Sequence, residues 1–107
     1  MDKETFKKCK DHLLRKANAV MNAKEAEYFS TDDVLGNLKR IAMFRDKETP
    51  EAIINLVAKQ LVSVSDMVNN EPMMLDPIPL DQWEEKLVDS LNYIFKFYAA
   101  IREQREV

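Results

Sequence analysis

Apolar positions along this chain recur every three or four residues, the period of helices that bury one side. The repeat is densest near the C-terminus. There Leu80, Trp83, Leu87, Leu91, Ile94, Tyr98 and Ile101 predict a helix from Leu80 to Gln104 with that face buried. Val88, Phe95 and Phe97 widen the face, and one polar stripe remains, Glu85, Asp89, Asn92 and Lys96, stacked along a single line. An earlier helix should run from about Lys3 to Tyr28, capped by Asp2, with Phe6, Cys9, Leu13, Ala17, Val20 and Met21 inward. Ser30 with Asp33 resembles a capping box, so a second helix is expected from near Thr31, carrying Val34, Leu35, Leu38, Ile41 and Ala42 to the core. Gly36 would sit inside it at a cost of about 1 kcal/mol relative to Ala.

A polar break follows, and Thr49-Pro50 marks the start of a third helix ending near Val68. Ile53, Ile54, Leu56, Val57, Leu61, Val64, Met67 and Val68 surround most of it, the signature of a central helix. Its polar residues Asn55, Lys59, Ser63 and Asp66 again form a stripe. Residues 69–79 contain Pro72, Pro77 and Pro79 and cannot be helical throughout, so they predict a crossover, with Met73, Met74, Leu75 and Ile78 packing within the chain. Asp81 with Glu84 should then cap the last helix. The expectation is one all-α domain over residues 1–107, a bundle of four main helices with the third and fourth central and antiparallel. The crossover is long for neighbouring helices, so the fourth could be displaced to the far side or to a partner subunit.

Composition narrows the function classes. The chain has 107 residues, 1 Gly and 4 Pro, with 46% hydrophobic residues, which favours helices throughout. A net charge of -3 leaves no basic footprint for nucleic acid as the main partner. Cys9 and His12 are the only residues of their kinds, so neither a disulfide framework nor a Cys/His zinc cluster can form. The N-terminus lacks the apolar run of a signal peptide, and no segment has the length of a membrane span, which predicts a soluble, cytoplasmic protein with no membrane partner. Two helices apolar around most of their circumference need more cover than two others supply. A homo-oligomer, at least a dimer, is expected, with Phe95, Phe97 and Tyr98 at the contact.

The candidate chemistry lies on the two polar stripes. Glu85 and Asp89, one turn apart, can hold Mg²⁺ directly or through water, since that ion takes oxygen ligands and needs few carboxylates beside substrate phosphates. The same spacing describes the ordinary wet side of an amphipathic helix, and spacing alone favours that plainer reading. If both stripes turn into one cleft, Lys59 neutralises Glu85 or Asp89, and Lys59, Asp66, Glu85, Asp89 and Asn92 form one ligand-binding set.

Several segments resemble small helical phage and prophage proteins of the nucleotide-modification-associated type, themselves distantly similar to MazG-like nucleotide pyrophosphohydrolases. Lys24–Tyr28 is similar to that family's Lys-Asn-x-Asp-Tyr segment, and Asp32–Ala42 to the segment after it, with Asn37 at the matching position. Lys59, Gln60 and Asp66 resemble its Lys-His pair and downstream Asp, and Glu85, Lys86, Asp89, Asn92 and Tyr93 its Glu-Lys-x-x-Asp segment ending in Asn-Tyr. Glu25, Glu27 and Gln60 depart from the pattern, and Glu25 and Glu27, two apart, fall on different sides of a helix. The resemblance implies a phage-associated protein that handles or binds nucleotides or modified nucleotides with Mg²⁺, with turnover left open. The competing class is a protein-interaction module, such as a phage inhibitor of a host defence system.

Overall fold

The computed structural model describes residues 1–28 and 33–106, the side chains of residues 25–28 excepted. The fold is all-α with four helices: α1 (Lys3–Tyr28), α2 (Gly36–Phe44), α3 (Thr49–Asn70) and α4 (Leu80–Arg105). No helix among the described residues is long and apolar enough to cross a membrane.

The centre is an antiparallel hairpin of α3 and α4. Ile53, near the start of α3, is wholly buried with Ala100 near the end of α4, and Leu35 and Leu38 of α2 close the same cluster. At the other end, Glu71 begins a single 3₁₀ turn, Glu71–Met73. Its Oε2 accepts from the Ile78 backbone N–H at 3.0 Å and from the Trp83 Nε1–H at 3.4 Å. That carboxylate folds the crossover back, so α4 lies beside α3 in its own chain rather than displaced to a far side or partner. The packed pairs are α3 with α4, α1 with α4, and α2 with α3.

The ends of the helices follow local chemistry. Asp2 caps α1 as expected, its Oδ1 accepting from the Thr5 N–H at 2.7 Å. Helix α2 starts later than the near-Thr31 expectation; Ser30 and Thr31 lie outside the described residues. Asp33 Oδ1 accepts from the Leu35 N–H at 3.0 Å, and Gly36 N–H bonds the Asp33 carbonyl at 3.0 Å, a turn that competes with helix. Gly36 therefore opens the helix instead of interrupting it, and Val34 points outward. Helix α2 closes with Asp46 at φ 52, while Asp46 and Lys47 N–H groups bond the Met43 and Ala42 carbonyls. This is a Schellman closure with an aspartate where glycine is usual.

The Asp81 capping box does not form. Pro79 precedes the first helical residue of α4, no side chain caps it, and Glu84 is taken by α1. Thr49 likewise belongs to α3 itself, with Pro50 buried in the first turn.

The largest departure concerns which sides of α3 and α4 are covered. Ile54, Leu61 and Val68 are exposed, as are Leu80, Leu87, Ile94, Phe95 and Tyr98 of the face expected to be buried. Met73, Met74 and Leu75 also stand outward, and of that group only Ile78 is buried. In their place α4 buries Val88, Ser90, Asn92 and Ala100. The helix turns its narrow polar stripe toward α1 because the stripe finds partners there.

Candidate functional site

Helix α1 meets α4 through complementary polar lines. Ala17 is fully buried at the crossing, and its carbonyl accepts from Asn92 Nδ2 at 3.3 Å. A side chain no larger than a methyl lets the two backbones approach closely enough for that bond. Asn92 is 8% exposed, and through this bond it pins the two helices together.

On either side of this pin stand charge pairs. Glu84 takes Lys16 on one oxygen and His12 Nε2 on the other, the latter at 3.5 Å. The hydrogen bond from Lys16 lowers the Glu84 pKa, aided by the fields of Lys16 and His12. One turn further along, Lys24 Nζ lies 3.6 Å from Asp89 Oδ1. Both partners reach solvent, so the pair is worth no more than about 1 kcal/mol and opens readily to a competing ligand.

Between the helices runs an open groove of about 480 Å³, lined by Lys16, Ala19, Val20 and Lys24 of α1 and Asp81, Glu84, Glu85, Val88 and Asp89 of α4. Its size falls in the range of small-molecule sites. Two lysines face four carboxylates over an apolar floor, an acidic balance that an anion enters only with a cation. Beside it, a hollow of about 160 Å³ is bordered by Lys24, Asn37, Ile41, Tyr93 and Lys96, so that Lys24 belongs to both.

The expected single cleft of Lys59, Asp66, Glu85, Asp89 and Asn92 is thus divided. Glu85 and Asp89 share the groove on α4, but Lys59 and Asp66 are exposed on α3 and take no part in it. The partner of Asp89 is Lys24, not Lys59, because the α4 stripe faces α1. Lys59 needs no partner, since water solvates it on an open side. Gln60, by contrast, is turned inward, and its Oε1 is buried with no hydrogen-bond partner among the described residues. Among the described residues no three His, Cys, Asp or Glu side chains converge as a ready-made metal site. Any Mg²⁺ held by Glu85 and Asp89 would complete its shell with water or ligand oxygens, which is usual for that ion. The Glu25 and Glu27 side chains lie outside the described residues.

Lys16, Lys24, His12 and Glu84 are the site residues that spacing did not single out. The signal existed: His12 and Lys16 stand one turn apart on α1 with Lys24 about two turns further on, cations spaced along the helix that meets the acidic side of α4. Comparison of the chain with protein-family models, with curated proteins and with solved structures finds no match.

Proposed function

We infer that this is a phage-associated nucleotide-binding domain that takes a nucleotide or modified nucleotide with Mg²⁺ in the α1/α4 groove. Glu85 and Asp89 hold the ion, Lys24 and Lys16 contact phosphate oxygens, and the apolar floor of Val20 and Val88 lies beneath the ligand. The observation that supports this most is convergence. Lys24, Asn37, and the Glu85, Asp89 and Tyr93 group come from three separated segments that resemble the phage nucleotide-modification-associated proteins, and they border two adjoining hollows that share Lys24. The charge balance supports it too, since a phosphate would enter an acidic groove together with a divalent cation.

The reading centres on binding. The groove offers oxygen ligands and cations, and the Lys16 ammonium beside Glu84 holds that carboxyl below its ordinary range. A thermal-shift series with nucleoside mono-, di- and triphosphates, each with and without Mg²⁺, tests it. At a ligand concentration about a hundred times Kd, the native state gains about 2.7 kcal/mol, a rise of roughly ten degrees for a domain of this size. Asp89→Ala should remove the Mg²⁺-dependent rise while leaving the helical spectrum intact. No rise with any nucleotide would leave the interaction-module reading, which the open apolar side of α3 and α4 favours.

A further inference from the structure

The hollow that adjoins the groove at Lys24 has walls of a different chemistry from the groove itself. It opens where three helices meet, between Lys24 of α1, the first turns of α2 and Tyr93 of α4. Its wall on the α2 side is aliphatic, made by Leu38 and Ile41 with Val34 beside them. Leu38 belongs to the central core, and Ile41 and Tyr93 pack against that core, so the wall is held in place by the fold. Asn37, one turn before Ile41, also borders the hollow and is exposed.

Size and lining together select an occupant. A cavity of about 150 Å³ lined by aliphatic and aromatic side chains takes up one benzene ring. At about 160 Å³ this hollow holds a single six-membered ring and leaves the second ring of a purine outside. A phosphate suits it poorly even with Lys24 and Lys96 at the border, because against Val34, Leu38 and Ile41 it would give up hydration that aliphatic carbon does not replace. A pyrimidine ring has apolar faces for such a wall and polar atoms only on its edge. The Asn37 amide brings a donor and an acceptor to that edge, and Tyr93 brings a phenol.

The hollow is too small for a whole nucleotide, but it is continuous with a space that is not. Lys24 borders both it and the groove of about 480 Å³, so one ligand passing over Lys24 has an end in each. On α4, Glu85, Asp89 and Tyr93 follow at steps of four and lie along one side of the helix over about 12 Å. A nucleoside phosphate covers such a span from its base to its terminal phosphate.

Resting on the reading of the groove as the place of the phosphates and Mg²⁺, we propose that the adjoining hollow is the base subsite of a pyrimidine nucleoside phosphate. Leu38 and Ile41 take a face of the ring, Asn37 meets its edge, and Lys24 stands between the base and the phosphates. Recognition of the base then depends on α2, and recognition of the phosphates on α1 and α4.

Calorimetric titration of the full chain in Mg²⁺ with pyrophosphate, cytidine and uridine diphosphates, and adenosine and guanosine diphosphates tests this. One of the two pyrimidine nucleotides should bind roughly tenfold or more tighter than pyrophosphate and than either purine nucleotide. Asn37→Trp, at an exposed position of α2 that tolerates a larger side chain, should keep the helical spectrum, fill the hollow with its indole and bring the pyrimidine nucleotide down to the affinity of pyrophosphate. Equal binding of pyrophosphate and nucleotides overturns the base subsite and leaves the groove reading standing, with Asp89→Ala as that reading's own check. Purines binding as tightly as pyrimidines, or a pyrimidine preference that Asn37→Trp leaves untouched, overturns it in the same way. Failure of all five ligands to bind overturns both.

Discussion

Asp46 and Glu84 show how single side chains set local outcomes here. Asp46 holds a left-handed backbone at φ 52 to close α2, a conformation that strains a residue with a Cβ and that glycine adopts freely. Asp46→Gly should therefore raise stability by about 0.5–1 kcal/mol, read as a higher denaturant midpoint at unchanged slope. Glu84 gains its partners only on folding, and its pKa falls below the usual 4.5 because of Lys16 and His12. Asp33, bonded by Lys39 and by the Leu35 N–H, is lowered from 3.8 in the same way. A carboxylate with a depressed folded pKa stabilises the fold above its unfolded value and loses that contribution as pH falls through the folded one. The melting temperature should accordingly drop as pH is lowered below about 4.5, and Glu84→Gln should flatten that part of the profile. Lys39, raised above 10.5 by Asp33 and Glu103, acts at the other end, its contribution fading as pH climbs past 10.5.

Among the elements, the crossover and α4 depend most on polar contacts. Glu71 is the one side chain that bonds both the Ile78 backbone and the Trp83 indole, so it registers the start of α4 against the end of α3. Glu71→Ala should cost about 1–3 kcal/mol in a denaturant titration, because the Ile78 N–H loses a charged acceptor in a partly buried place. Helix positions were legible from the period of apolar residues: α1 and α3 begin within a residue or so of where Asp2 and Thr49-Pro50 place them, and α4 begins at Leu80, where its apolar repeat starts, without the Asp81 cap. Orientation about the axis was not. Apolar breadth on α4 pointed Leu87, Ile94 and Tyr98 inward, yet the decisive contacts are Asn92 on the Ala17 carbonyl and Glu84 on Lys16, which pull the polar stripe toward α1. Periodicity reports that a face exists, and a hydrogen bond between residues 75 positions apart decides which way it turns.

For the molecule as a whole, turning α4 over has two results: its carboxylates meet the lysines of α1 in a groove, and its Leu87, Ile94 and Tyr98 are left exposed. The pairing of Glu85 with Asp89 was legible because both lie on one helix, one turn apart. The cation opposite them was not, because Lys59 on the neighbouring α3 and Lys24 on the distant α1 are equivalent to any argument that counts residues along a helix. The nucleotide reading therefore rests on Lys24 and leaves Lys59 outside the site. Isothermal titration of the Mg²⁺-nucleotide that gives the largest thermal shift, into Lys24→Met and Lys59→Met proteins, separates the two arrangements directly. The groove predicts that Lys24→Met weakens binding by roughly tenfold or more, about 1.4 kcal/mol, while Lys59→Met binds as the unmodified protein does. Loss of binding in Lys59→Met with Lys24→Met unaffected would contradict the account.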